Sequence, residues 1–175
     1  MTGFPPFWYF FTDDTQVTRD IFTRVGKTLY IATRFESYCK SLRTLMDIKE
    51  NVRSSELDLH DQESVEQFVA DINKLSLHSH IQSITSKVQG GDDLSEILLK
   101  AKNSRNFVAH ELTLGLEQNI DNDPSFWDTI GQSIQDAVDS ILVGEYLILL
   151  LIADTTHEEP PFPKYIESNR KWTLA

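Results

Sequence analysis

The spacing of apolar residues between Ile21 and Met46 constrains the fold most. Ile21, Val25, Leu29, Ala32, Cys39, Leu42 and Met46 recur at three- and four-residue steps, the period of one face of an α-helix. No segment shows the strict alternation of a half-buried strand. The pattern predicts a long helix from about Asp14 to Glu50, with Thr12, Asp13 and Asp14 as cap candidates that place negative charge at the helix start. A helix this long invites a kink near Gly26 or a break after Met46.

The rest of the chain carries the same signal. Ser64 with Gln67 has the form of a capping box, followed by an apolar face of Val65, Phe68, Val69, Ile72 and Leu75. Ser76 to His80 reads as a break. Ile81, Ile84 and Val88 mark another short helix, stopped by Gly90 and Gly91. Asp92 or Asp93 then caps a helix whose stripe runs from Leu94 through Ala101, Val108 and Leu112 to Leu116, ending near Asn119. The last helix starts near Ser125 and carries Ile130, Ile134, Val138, Ile141 and Ile148 inward; Pro160, Pro161 and Pro163 force the chain out of it. The expectation is one all-α domain over residues 1–175: an antiparallel bundle of four to five helices in 12–155, an aromatic N-terminal arm in 1–11, and a Pro-rich tail in 156–175. The arm, Phe4 to Phe11, is expected to pack with Phe162 and Tyr165 on the bundle end or to form a dimer surface.

Charge and cysteine usage exclude several classes. With 16 Lys and Arg against 27 Asp and Glu, the formal net charge is −11, which argues against a protein that coats nucleic acid with its whole surface. The single Cys39 rules out an internal disulfide and a cysteine-based zinc site, and its place in an apolar stripe predicts a core thiol. No Lys or Arg precedes Arg19, so no leader is expected. Ile141 to Ala153 is too short and too charged, with Glu145 inside it, to span a membrane. The cytoplasm is the expected location, without membrane attachment.

The segment Lys102 to Leu112 carries the chemistry. Arg105 is followed at once by Asn106 and, after four intervening residues, by His110. Arg105-Asn106-Phe107-Val108-Ala109-His110 resembles the R-x4-6-H motif of the HEPN domains (higher eukaryotes and prokaryotes nucleotide-binding), in which the arginine is commonly followed by Asn, Asp or His and the motif lies on a late helix of an all-α bundle. The resemblance covers six residues and is supported by chain length and helix order. It implies a metal-independent endoribonuclease, a homodimer whose paired motifs line one cleft, and a toxin or anti-phage role with a cognate inhibitor or antitoxin as partner.

The residues make chemical sense without the family. RNA supplies its own nucleophile, the 2′-OH, so a cleaving site needs a base, an acid for the leaving 5′-oxygen and positive charge on the phosphorane. A histidine titrates near neutrality; a guanidinium grips two phosphate oxygens; Asn106 can bond phosphate, ribose or imidazole. No metal or cofactor is called for. Lys102, one turn before Asn106 on the same face, is a candidate substrate contact. One histidine per chain leaves one acid–base group short, which two His110 side chains in a dimer would supply.

Geometry raises a difficulty. On an ideal α-helix Arg105 and His110 lie roughly 140° apart, and Arg105 falls within the apolar stripe. It must reach around, sit at a helix distortion, or pair inside the bundle with Glu36 or Glu145, both of which interrupt the stripes of their helices. The competing reading is a non-catalytic helical module that binds RNA, a nucleotide or a protein. His78 and His80, with His60 and Asp61 upstream, are expected to be surface residues rather than metal ligands.

Overall fold

The stripe that begins at Ile21 folds as one uninterrupted helix, α1 (Gln16–Arg53), which ends three residues beyond the Glu50 that its apolar pattern predicts. The computed structural model describes residues 16–112 and 124–175, and the regular structure in them is entirely helical. After α1 come α2 (Gln62–Asn73), α3 (Leu77–Lys87), α4 (Gly91–Asn106), a π-helical turn (Phe107–Leu112), α5 (Pro124–Thr156) and α6 (Tyr165–Leu174). The expected all-α bundle is present. The aromatic arm, the cap candidates at 12–14 and the helix end near Asn119 lie outside the described residues.

Side-chain contacts give the helix directions. Arg34 of α1 meets Glu145 of α5, and Lys49 meets the Thr155 carbonyl, so residue numbers rise together and α1 and α5 run parallel. Helix α6 runs antiparallel to α5: Glu145 and Asp139 of α5 meet Tyr165 and Arg170 of α6. Helices α1, α4 and α5 enclose the core, with Phe35, Leu42, Leu98, Ala101, Ile134, Ile141, Leu142 and Ile148 buried and α3 contributing Ile81 and Ile84. The three helices approach closely at Gly144, where a Cβ would stand 2.6 Å from the Ala101 methyl and 3.2 Å from the Phe35 ring. Cys39 is buried, and burial pushes its thiol far above the ordinary range.

Four local expectations change. Asp61, not Ser64, caps α2: its carboxylate accepts the Ser64 N–H at 3.3 Å and the Ser64 hydroxyl at 2.6 Å, so the helix starts earlier than the capping-box reading. Ser76 caps α3 by accepting the Ser79 N–H at 3.2 Å, which places Leu77 to His80 in the helix rather than in a break. At α4 the cap position is Gly90 with φ 76°, and Asp92 and Asp93 sit in the first turn, where their charge complements the helix dipole. Gly91 is required as well, because a Cβ would stand 2.1 Å from the Thr85 carbonyl oxygen. The tail is not merely an exit: beyond its prolines it folds back as α6, held to the bundle by Tyr165, Asn169 and Arg170. No helix among the described residues is long and apolar enough to cross a membrane.

Candidate functional site

Arg105 stands at the end of α4, immediately before the helix widens. Its Nη2 donates to Glu36 Oε2 of α1 at 2.5 Å, and its Nη1 donates to Asn106 Oδ1 at 3.2 Å. Glu36 also accepts from Lys40, one turn along α1, at 3.0 Å. The Arg105 and Glu36 side chains are 26% and 21% exposed, so the pair sits at the bundle surface, in reach of water. Burial raises the Glu36 pKa, but the Lys40 hydrogen bond and the charge of Arg105 outweigh it and hold the carboxyl below its usual range.

Two of the three expected arrangements occur together, since Arg105 pairs with Glu36 and also precedes a helix distortion. Phe107–Leu112 is π-helical. Such a turn bonds residue i to i+5 and so stacks residues five apart, and turns of this kind recur at functional sites. Most of the span from Arg105 to His110 lies inside it, which narrows the roughly 140° offset of a straight α-helix. Val108 and Leu112 are buried and anchor the turn on the core, while His110 and Glu111 are exposed. Lys102 and Asn106 are half-buried, one helical turn apart.

The structure therefore brings Arg105, Asn106 and Glu36 together and leaves His110 on the same segment without a hydrogen bond to them. Glu145 is not a partner of Arg105. It is fully buried and pairs in a two-pronged contact with Arg34, whose Nη2 lies 3.0 Å from Oε2, while the Tyr165 hydroxyl donates to Oε1 at 2.8 Å. Burial, then the adjacent Glu145 charge, pushes the Tyr165 hydroxyl well above the ordinary phenol range.

Two groups were not anticipated. Lys40 shares Glu36 with Arg105, and its i,i+4 spacing from Glu36 could have shown it. His80, expected at the surface, is fully buried, and neither ring nitrogen has a hydrogen-bond partner. It lies three residues after Leu77 and four before Ile84, both buried, so it occupies the apolar stripe of α3. His78 and His60 are exposed. No group of three or more His, Cys, Asp or Glu among the described residues could hold a metal ion. Open concavities of about 730 Å³ beside α2 and about 880 Å³ beside Met46, Lys49 and Lys87 include none of the motif residues.

No family model, curated protein or solved structure matches the chain.

Proposed function

We propose that the chain is a metal-independent endoribonuclease of the HEPN type. The observation that carries this reading is the environment of Arg105. Its guanidinium spends two of five N–H donors on Glu36 and Asn106, keeps three for phosphate oxygens, and precedes a π-helical turn that carries an exposed His110. Glu36 pre-orients the guanidinium so that little freedom is lost when phosphate binds. The 2′-oxygen attacks the adjacent phosphorus as His110 takes its proton, Arg105 stabilises the phosphorane, and the P–O5′ bond breaks as an acid protonates the leaving oxygen. The products are a 2′,3′-cyclic phosphate and a 5′-OH end. Two chains paired through this face supply both the base and the acid, with Lys102 and Asn106 on the flanking nucleotides. A cleaving chain of this kind acts as a toxin or anti-phage effector and requires a cognate inhibitor in the cytoplasm.

The second reading, a non-catalytic HEPN-like module, is favoured by one observation: Glu36 neutralises Arg105 within the chain. Incubating RNA in EDTA with wild type, Arg105→Ala and His110→Ala separates the two. Loss of cleavage in both variants supports the nuclease. Equal cleavage by all three proteins, cleavage abolished by EDTA, or none by wild type rejects it, and RNA bound but intact points to the module.

A further inference from the structure

The net charge of −11 is unevenly placed. Residues 16–53 and 164–174, which form α1 and α6 with its lead-in, hold 11 of the 16 Lys and Arg but 5 of the 27 Asp and Glu. These two helices pack on each other and together carry a formal +6, against −17 for the remainder. The acidic excess therefore lies outside these two helices; their cations turn to several neighbours, Arg43 to Asp47 and Arg170 to Asp139 among them, and Lys27 and Arg34 are the ones that meet rings where α1 and α6 pack.

Aromatic rings are exposed along that contact. Tyr30 of α1 is 57% exposed and Trp172 of α6 is 47% exposed; they meet edge to face with centroids 5.8 Å apart. Lys27 lies over the Trp172 ring at 5.5 Å and donates to the Trp172 carbonyl at 3.0 Å. Arg34 lies over Tyr30 at 5.5 Å. At the other end of α6, Phe162 is 53% exposed and packs edge-on against Tyr165. Trp172 and Tyr165 are seven residues apart on α6, roughly 10 Å along its axis at 1.5 Å per residue. Rings and cations therefore alternate along one seam. Exposed rings that are each in contact with a cation match the stacking platform of single-strand binding.

We infer that the α1–α6 seam binds single-stranded nucleic acid, with bases stacked on Tyr30 and Trp172 and phosphates beside Lys27 and the cations of α6. A second copy of the chain fits the seam poorly, because a two-fold contact would set Lys27 and the exposed Lys171 against their own images. The seam is distinct from the Arg105 site. Arg34 and Glu36 are two residues apart, roughly 200° around α1, and they reach α5 and α4 respectively. Binding here does not require cleavage there.

The test is fluorescence anisotropy of labelled oligo(dT) and oligo(U) with the full chain at about 50 mM salt. Oligo(dT) lacks a 2′-OH, so it reports binding whether or not the chain cleaves RNA, and the two probes together show whether the seam prefers RNA. Tyr30→Ala and Trp172→Ala should each weaken oligo(dT) binding at least fivefold, as loss of one stacked base predicts, while Tyr30→Phe and Trp172→Phe bind as wild type. Lys27→Glu should weaken binding and flatten its salt dependence. Circular dichroism checks folding, and the exposed Tyr30 carries the test if Trp172→Ala does not fold. The inference is overturned if neither oligonucleotide binds at about 100 µM protein, or if the Tyr30 variants bind alike. It also fails if the alanine variants abolish dimerisation in sedimentation without any oligonucleotide binding.

Discussion

Arg105 and Glu36 meet across α4 and α1 at 2.5 Å, and Lys40 approaches the same carboxylate at 3.0 Å. One acidic group therefore holds two cations at the edge of the candidate site. Glu36→Gln keeps the acceptor shape and removes its charge. Freed from compensation, the guanidinium should attract phosphate more strongly but sit less firmly, so under the proposed nuclease function KM for RNA should fall while kcat falls about tenfold. Because the pair is partly exposed, the stability cost should stay near 1 kcal/mol or below. Steady-state cleavage of a fluorogenic RNA, with urea denaturation alongside, checks both parts; an unchanged kcat means Glu36 does not position Arg105.

The helical class was legible because burial repeats the period of the sequence: Ile21, Val25, Ala32, Cys39 and Leu42 are all buried on α1. That Arg105 needs a carboxylate partner, Glu36 or Glu145, was legible too, since a charge placed in an apolar stripe needs a counter-charge. What escaped were contacts between distant segments. Nothing near Arg34 announces that it, rather than Arg105, meets Glu145, because that choice depends on α1 and α5 running parallel. The π-helical turn has no compositional mark in Phe107 to Leu112. Helix α6 was hidden behind the prolines that precede it, and its hold on the bundle comes from Tyr165 and Arg170 pairing with carboxylates on α5.

The Glu145–Arg34–Tyr165 cluster should be costly to break from either side, but unequally. Tyr165→Phe removes one hydrogen bond to a carboxylate that keeps Arg34, a loss of about 1–2 kcal/mol. Glu145→Leu removes the acceptor of both Arg34 and Tyr165 in a fully buried position. It should cost about 3–5 kcal/mol at most, lessened because Arg34 is 20% exposed and retains Asn169 at 3.0 Å. Urea midpoints of the two variants should rank in that order. The reverse ranking would show that α6 is held chiefly by its rings.

Gly144 should tolerate no side chain. The Ala101 methyl and the Phe35 ring stand 2.6 Å and 3.2 Å from where its Cβ would be, and both belong to packed helices rather than to flexible side-chain ends. Gly144→Ala gains helix propensity of about 1 kcal/mol, but forcing α4 and α1 away from α5 should cost about 1–3 kcal/mol. The net result should be a lower melting temperature, whereas Gly131→Ala, with nothing within 4 Å of the added carbon, should raise it. A stabilised Gly144→Ala would show that the three helices can slide apart freely.

His80 should set the acid sensitivity of the fold. Burial first, then the positive charges of Arg43 and Lys40 on α1, lowers its pKa below the ordinary 6.5. Glu36 and the Leu75 backbone oppose this shift without supplying a hydrogen bond of normal geometry to either ring nitrogen. The folded protein therefore protonates the imidazole only at a lower pH than the unfolded chain, which takes up a proton near pH 6.5. This contribution to stability is complete above that value and is lost as pH falls from it through the lowered folded value, because over that window the unfolded state binds more protons. Glu36, also lowered, acts in a separate window, since its contribution begins to fade only near its ordinary pKa of 4.5. Between about pH 7.5 and 5 the urea midpoint should fall. His80→Leu removes both the titration and the unsatisfied nitrogens, so its midpoint should be flatter across that window and higher than wild type at the acid end. Equal slopes for the two proteins would mean that His80 finds a partner or reaches solvent before the chain unfolds.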